Sequence, residues 1–345
     1  MTVRNPLART LDMTSKKPRV FSGIQPTGDM HIGNWLGAVR TWVDQVNAGA
    51  EETMFCIVDA HAITVPHEPK ELRERIDRFA IDLVACGLDT KKTTLFVQSD
   101  VREHTELAWY LAAVTPYGEL GRMTQFKDKI EKSEGEFIST AFFTYPVLMS
   151  ADILLYKATV VPVGEDQLQH LELARETVRR FNHRFGEIFP EPKPRMSPAP
   201  RIMGVDGLTK MSKSKGNTIG LFEPKDAFWN KLRTAYTDPQ RLKKSDPGRP
   251  EICNIYTMHK ALSSKETQDE VVANCTGAKW GCVDCKKVLM EGFERELVPL
   301  RTKREQLSMD EVRKALGEGA DKARTIARET MTEVRKVMGL GSLAT

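Results

Sequence analysis

In the first half of the chain, short unbroken apolar runs alternate with stripes of apolar residues at helical spacing. Val20–Ile24 is such a run and reads as a buried strand. Across Ile32–Val46 the apolar positions Trp35, Leu36, Val39, Val43 and Val46 recur as one face of a helix. Met54–Val58 is a second strand, Leu72–Cys86 a second amphipathic helix and Leu95–Val97 a third, short strand. This order predicts an α/β fold with a doubly wound parallel sheet, whose ligands sit at the carboxyl ends of the strands. Residues 103–158 read as mostly helical, an insertion between the two halves of the sheet. Val160–Val163 restarts the strand pattern, and Asp166–Phe181 is again helical. Five prolines within Pro190–Pro200 predict an extended loop.

Past residue 220 only helical stripes remain. That change predicts a boundary between a domain at 20–220 and an all-helical C-terminal domain at 221–345. The last helix carries Ala323, Ile326, Ala327, Met331, Val334 and Met338 on one face, which reads as a surface able to pack back on the first domain. Ser308-x-x-Glu311 is a candidate capping box at its start, and Gly339 a candidate stop.

A chain of 345 residues can hold a Rossmann-type domain and a second, smaller unit. Lysine and arginine number 51 against 47 acidic residues, and the net charge of +4 argues against an RNA-coating protein while leaving room for one basic face. No run approaches the length of a membrane-spanning helix. Residues 1–19 hold Arg4, Arg9, Lys16 and Lys17 but no apolar core, so they read as a disordered tail rather than a secretory signal. The expectation is a cytoplasmic protein without a membrane partner.

Two distant segments carry the candidate chemistry. Pro26-Thr-Gly-Asp-Met-His-Ile-Gly-Asn34 lies between the first strand and the first helix, where unpaired backbone N–H groups and the helix dipole favour a phosphate. There Gly28 permits a tight turn, Gly33 permits close backbone approach, and His31 is a donor for a phosphate oxygen. Lys210-Met-Ser-Lys-Ser214 places two lysines three apart in a loop of small and polar residues, with Gly204, Gly207 and Gly216 around it as candidate hinges. Each segment alone is ordinary turn or loop composition. Their order, separation and strand-turn-helix setting favour one site for nucleotide-driven adenylation.

The pair resembles the HIGH-like and KMSKS signatures of class I aminoacyl-tRNA synthetases. The resemblance implies that His31 and Asn34 contact phosphate and ribose. It implies that Lys210 and Lys213 hold the β- and γ-phosphates as pyrophosphate departs, with Met211, Ser212 and Ser214 completing the ATP loop. Asn34 departs from the histidine of the strict signature, as it does in the tryptophan and tyrosine members. ATP brings Mg²⁺ with it, held largely by phosphate oxygens and water.

The run Thr144–Tyr156 is mostly apolar except for Asp152. Composition alone favours an exposed helix face for that carboxylate; a buried one suits a ligand with an apolar body and a single N–H donor, such as indole. Phe21–Gly28, Val58–Val65, Gly118–Lys127, Thr144–Tyr156 and Val161–Gln167 together resemble bacterial tryptophanyl-tRNA synthetases. That resemblance implies that Asp152 accepts from the indole N–H and that Phe21, Met149, Val161 and Val163 wall the ring. Tyr145 and Gln167 then hold the amino group, with Gln25 at the carboxylate end. Gly23, Gly164, Asp166 and Met203 lie near the nucleotide, and Lys127 reaches its phosphates. The implied partners are L-tryptophan, ATP, tRNA(Trp) and a second copy of the chain in a homodimer. Lys243, Lys244, Arg249, Lys279, Lys286 and Lys287 are candidate contacts to tRNA phosphates. The alternatives are a tyrosyl-tRNA synthetase and a synthetase-like regulatory or RNA-binding paralogue.

Cys253, Cys275, Cys282 and Cys285 are spaced C-x21-C-x6-C-x2-C, with no histidine of matching spacing nearby. Four thiolates suit tetrahedral zinc or a [4Fe–4S] cluster. The spacing resembles that of tryptophanyl-tRNA synthetases with an iron–sulfur cluster in the anticodon-binding domain, departing by one residue in the long interval. Lys279, Lys286 and Lys287 surround the motif, positioned to offset cluster charge and touch tRNA. Cys56 and Cys86 read as core thiols.

Overall fold

The computed structural model describes residues 17–132, 137–196, 202–212 and 215–341. β1 (Arg19–Ile24) leads into α1 (Ile32–Asn34), a π-helical turn at Trp35–Val39 and α2 (Arg40–Ala48). β2 (Glu52–Ile57) is followed by α3 (Asp59–Ala62) and α4 (Pro69–Ala85). After β3 (Thr94–Val97) come α5 (Glu103–Ala112), α6 (Tyr117–Leu120), α7 (Thr124–Lys132) and α8 (Thr140–Leu154). β4 (Val160–Val163) feeds α9 (Leu168–Phe185) and β5 (Lys193–Met196). The C-terminal region holds α10 (Lys225–Thr234), α11 (Asn254–Leu262), α12 (Lys265–Thr276), α13 (Cys282–Gln306) and α14 (Met309–Met338).

The strands form one parallel sheet in the order β3-β2-β1-β4-β5. The order reverses between β1 and β4, so the carboxyl ends of these two strands bound the ligand crevice of a Rossmann-type sheet. Alternate strand residues face opposite cores. Phe21, Met54, Cys56, Phe96, Val161 and Val163 share one apolar cluster, and Phe55, Ile57, Leu95 and Val97 the other. The second cluster runs without a break from the sheet into the C-terminal helices through Phe228, Ile255, Met258, Leu289, Phe293 and Leu297. Each such side chain contributes about 1.5–3 kcal/mol by burial, so the helical region shares its core with the sheet.

Four local readings change. The helix expected over 32–46 contains the π-turn, which absorbs an extra residue; Trp42 is buried downstream of it, and Val43 only partly. The Pro190–Pro200 segment, expected as a loop, contributes β5, where Pro194 is tolerated because the strand lies at the sheet edge. Ser308 is the N-cap of α14, but its side chain makes no capping hydrogen bond, so the capping box does not form. Gly339 ends α14 with φ at 70°. Of the expected N-terminal tail, residues 1–16 lie outside the described residues. Lys17 donates to the Gly49 carbonyl, and Arg19 already belongs to β1.

α14 lies against the sheet, with Ala320, Ala323, Ala327, Met331 and Val334 buried. Contact is closest at Gly319, where an added Cβ would meet the Leu95 carbonyl oxygen at 2.0 Å. At Gly317 the same atom would meet nothing within 4 Å. Gly317→Ala is therefore expected to stabilise by up to about 1 kcal/mol through helix propensity. Gly319→Ala is expected to destabilise by about 1–3 kcal/mol despite the same propensity gain. Urea unfolding of the two variants checks this, and equal shifts would contradict the close packing.

Candidate active site

The turn after β1 is closed by its own polar ends. His31 is the N-cap of α1; its Nδ1 accepts from Asn34 N at 3.3 Å, while Asn34 Oδ1 accepts from His31 N at 3.1 Å. This reciprocal box fixes the tautomer, because an accepting Nδ1 leaves the ring proton on Nε2, the donor. Gly33 sits where an added Cβ would stand 3.0 Å from His31 Nδ1 and 3.2 Å from Met211 Cβ. The glycine thus lets the lysine-bearing segment lie directly on the turn. Backbone bonds lock the two together: Ile32 N donates to Ile219 O at 3.0 Å and Leu221 N to Met30 O at 2.8 Å.

The lysine-bearing segment is a hairpin. Met203 pairs with Lys210, Gly204 N donates to Thr209 O at 2.8 Å, and Met211 N donates to Ile202 O at 3.1 Å. Its organiser is Asn217, a buried residue without any motif signal in the sequence. The Asn217 amide accepts from Ser212 N at 2.8 Å and donates to Asp206 Oδ2 at 2.9 Å and Thr209 Oγ1 at 3.0 Å. An added Cβ at Gly204 would fall 2.1 Å from Asn217 Nδ2, and one at Gly207 2.5 Å from the Tyr236 ring. These two glycines, expected as hinges, are required by packing. Lys210 is exposed and Met211 buried. Lys213 and Ser214 lie outside the described residues.

Asp152, on α8, is buried rather than on an exposed face, at 2% exposure. Its Oδ1 accepts from Gln98 Nε2 at 2.6 Å and pairs with His104 Nδ1 at 2.6 Å; its Oδ2 pairs with His61 Nε2 at 2.8 Å. Burial opposes the charge, but the two histidines more than offset it and hold the carboxyl well below the usual range. Tyr156 orders the cluster: burial pushes its hydroxyl far up, keeping it a donor to His104 Nε2 at 2.7 Å. His104 then presents its Nδ1–H to Asp152. Tyr156 also stacks on Phe21, with ring centroids 5.4 Å apart. Phe21, Val161 and Val163 belong to this apolar cluster, and Met149 packs against it.

Tyr145 stands beside the carboxylate network, 6.2 Å from the His61 ring. Its hydroxyl donates to Gln125 Oε1 at 2.7 Å and accepts from His170 Nε2 at 2.6 Å. Burial pushes this hydroxyl up to about 12. Beyond β4, Gly164 caps the short turn Glu165–Gln167, where Gln167 donates to Asp166 Oδ2 at 3.2 Å. Gly23 is exposed at the end of β1, and Gln25 just beyond it. Lys127 is exposed on α7. His61 lay within a string already singled out, whereas Gln98 and His104 had no signal beyond being polar.

The four clustered cysteines are half-buried. Burial first, and then the neighbouring Cys253, Cys275 and Cys282, push Cys285 up to about 12. His259 Nε2 approaches Cys285 Sγ at 3.4 Å, a neighbour that sequence spacing missed. Arg241 donates to Cys275 Sγ at 3.6 Å. Among the described residues, no group of three or more His, Cys, Asp or Glu forms a metal-ligand set. Lys286, expected at the tRNA, is buried and donates to the Arg233 and Ala235 carbonyls. Arg249 is likewise committed to Asp238.

A parallel sheet with a glycine-containing strand-to-helix turn at its reversal point, and a lysine-bearing hairpin laid on that turn, has the fold of a class I aminoacyl-tRNA synthetase. The family model for tRNA synthetases class I (W and Y) matches residues 13–298. The tryptophan–tRNA ligase of Deinococcus radiodurans is 51% identical over 93% of this chain and 98% of its own length. That of Thermotoga maritima is 40% identical, over 93% of this chain and 99% of its own. Among solved structures, the tryptophanyl-tRNA synthetase of Campylobacter jejuni with ADP and tryptophan has a TM-score of 0.81 at 35% identity, covering 93% of this chain and all of that one. The Mycoplasma pneumoniae enzyme gives 0.83 at 33%, over 95% and 99% of the two chains. The chain belongs to the tryptophan–tRNA ligases of this family.

The buried histidines set an acid limit on the fold. Burial lowers His170 to about 4 and His259 to about 4. An imidazole that titrates near 6.5 when unfolded and near 4 when folded binds fewer protons in the folded chain between those values. Stability is therefore lost as pH falls through that window, by at most about 3 kcal/mol per histidine. His170→Gln is expected to lose less stability than wild type between pH 7 and 4.5 in urea unfolding. Identical losses would show that His170 does not carry the penalty.

Proposed function

We propose that the cluster around Asp152 and the turn–hairpin pair are the two halves of one adenylation site. The reaction is ATP-dependent activation of L-tryptophan to tryptophanyl-adenylate, releasing pyrophosphate, and transfer to tRNA(Trp), releasing AMP. The observation that carries the amino-acid assignment is the occupancy of the Asp152 carboxylate. Oδ1 has two partners and Oδ2 one, so a group with about four acceptor sites retains one on Oδ2. A single N–H donor on a flat apolar body satisfies it, which describes indole. Phe21, Met149, Val161 and Val163 supply the apolar wall. Tyr145 has one donor and one acceptor site engaged, leaving an acceptor for the substrate ammonium. Gln167 and Gln25 complete the polar end.

The ATP half works by position and charge. His31, Gly33 and Asn34 meet the nucleotide at the helix start, with Gly23, Gly164, Asp166 and Met203 lining it. Attack of the tryptophan carboxylate on the α-phosphorus moves negative charge onto pyrophosphate, where Lys210, Lys213 and Lys127 stabilise it. Ser212 orients the loop, and Mg²⁺ travels with the phosphates. A homodimer in the cytoplasm completes the reading. Trp109 and Tyr117, 76% and 80% exposed, offer apolar surface to a second copy.

Amino-acid-dependent ATP–pyrophosphate exchange, scanned across the amino acids, tests the assignment. Tryptophan is expected to be the substrate, and Asp152→Ala to lower its kcat/KM by about 10⁴-fold or somewhat less without unfolding the chain. Wild-type activation of tryptophan by the variant would remove the indole assignment.

The region from 221 to 345 we assign to the tRNA anticodon. Within it the donor chemistry of Cys253, Cys275, Cys282 and Cys285 suits a thiophilic centre, with Arg241 and His259 beside two of the sulfurs, although the four do not converge into a ligand set among the described residues. These four residues would hold a [4Fe–4S] cluster, preferred over zinc on the spacing. When bound, it would supply a cross-link among helices. Buried Lys286 would offset its charge. Anaerobic purification is expected to give brown protein containing iron and acid-labile sulfide. A colourless preparation with one equivalent of zinc would decide for zinc, and a metal-free one would exclude both.

A further inference from the structure

Asn254 is the first residue of α11, lies 6% exposed in the shared core, and belongs to no motif. Its Nδ2 donates to Gly204 O at 2.9 Å and lies 3.5 Å from Met203 O, while its Oδ1 is buried without a partner. The amide orientation follows from these neighbours, because the opposite flip would aim Oδ1 at two carbonyl oxygens. A buried acceptor left unpaired is costly, and an apolar side chain of similar size would avoid that cost. Fold stability therefore does not explain an asparagine here. The satisfied half of the amide is the half that grips the hairpin.

The gripped strand leads to the lysine. Gly204 is the residue into whose missing side chain Asn217 inserts, and Asn217 holds Ser212 N, Asp206 and Thr209. One residue further, Val205 O accepts from Tyr236 N at 2.7 Å, so the helical region holds two consecutive carbonyls of the same strand. Lys210 lies opposite Met203 in the hairpin pairing. The helical region is thus bonded to the hairpin arm that pairs with Lys210.

We propose that Asn254 is a positioning residue for the pyrophosphate-binding hairpin, acting through the Gly204 carbonyl on Lys210. The proposal rests on the reading of Lys210 as a ligand of departing pyrophosphate. Substitution Asn254→Asp keeps the size and suits the first turn of a helix, but replaces the donor with a carboxylate facing carbonyls. The expected result is a fall of about 10- to 100-fold in the rate of tryptophan activation, the scale of a misplacement of about 1 Å. The KM for tryptophan should stay within about two-fold, since a displaced clamp acts on the transition state rather than on tryptophan binding. Transfer of tryptophan from preformed adenylate to tRNA should be unchanged, even where the buried carboxylate lowers the melting temperature. Asn254→Ala should show the same split. Activation at the wild-type rate in both variants, with Lys210→Ala slow, overturns the proposal alone. Activation and transfer falling together with the melting temperature would mark a purely structural residue and also overturn it. An unimpaired Lys210→Ala overturns both the proposal and the reading beneath it.

Discussion

The Asp152 carboxylate is held ionised although it is almost fully buried, and its surroundings are arranged to keep it so. A buried charge must be met by donors or give up its ionised form. Here the donors come from three other places: His61 on α3, Gln98 just past β3 and His104 on α5. Each is itself fixed. Gln98 Oε1 accepts from Ala60 N at 3.1 Å, and His104 is held by Tyr156, which stacks on Phe21 of β1. The helical insertion between β3 and β4 is therefore tied to the sheet by a polar network as well as by apolar packing. A carboxylate with three of about four acceptor sites filled also selects strongly, because a ligand that cannot donate leaves a buried lone pair unpaired.

The proposed ATP half obeys a different logic. Among the described residues its lysines lie at the surface, and what is buried is the backbone scaffolding beneath them. The His31–Asn34 box, the Asn217 plug and the strand-like bonds between 30–32 and 219–221 are short-range devices that hold a lysine loop on a helix start. None requires desolvated charge. Tight fixation suits the role proposed for the Asp152 cluster, discrimination among amino acids. A lysine at the end of a braced hairpin suits the site where charge builds up and leaves.

The sheet and the two signature segments were legible because both rest on local rules, namely strand and helix periodicity and glycine at close approaches. The alternation of elements indicated a doubly wound parallel sheet, whereas the order of its strands, and so the reversal point, came from the structure. The failures have local causes too. The π-turn has no periodicity of its own beyond one displaced tryptophan. Pro194 reads as a breaker unless its strand is known to be at an edge. Lys286 looks like any surface lysine in sequence, yet it caps carbonyls from α10. Asp152 could not be placed from composition, because a lone carboxylate in an apolar helix reads the same whether it faces water or three buried donors. Gln98, His104, Asn217 and Asn254 act through partners about 48 or more residues away, or through a hairpin, and no spacing rule reports them.

The composition change near residue 220 suggested two units, and the packing joins them. Phe228, Phe293 and Leu297 share a core with Trp35, Trp42 and Phe55, while Glu296 accepts from Trp35 Nε1 at 3.0 Å and pairs with Arg40. Arg40 in turn donates to the Ala261 carbonyl at 3.0 Å. The π-turn behind the helix start at Ile32 is thus braced by α13 and α11, and the hairpin in front of it by α11 and the segment after α10. Cys253 is the N-cap of α11 and Asn254 its first residue, so the cysteine motif and the hairpin tether occupy adjacent positions on one chain segment. Through Ala261 and Asn254, α11 touches both the helix behind the first turn and the hairpin in front of it. A rigid helical region is therefore part of the geometry of the proposed adenylation site, beyond any part it takes in holding RNA.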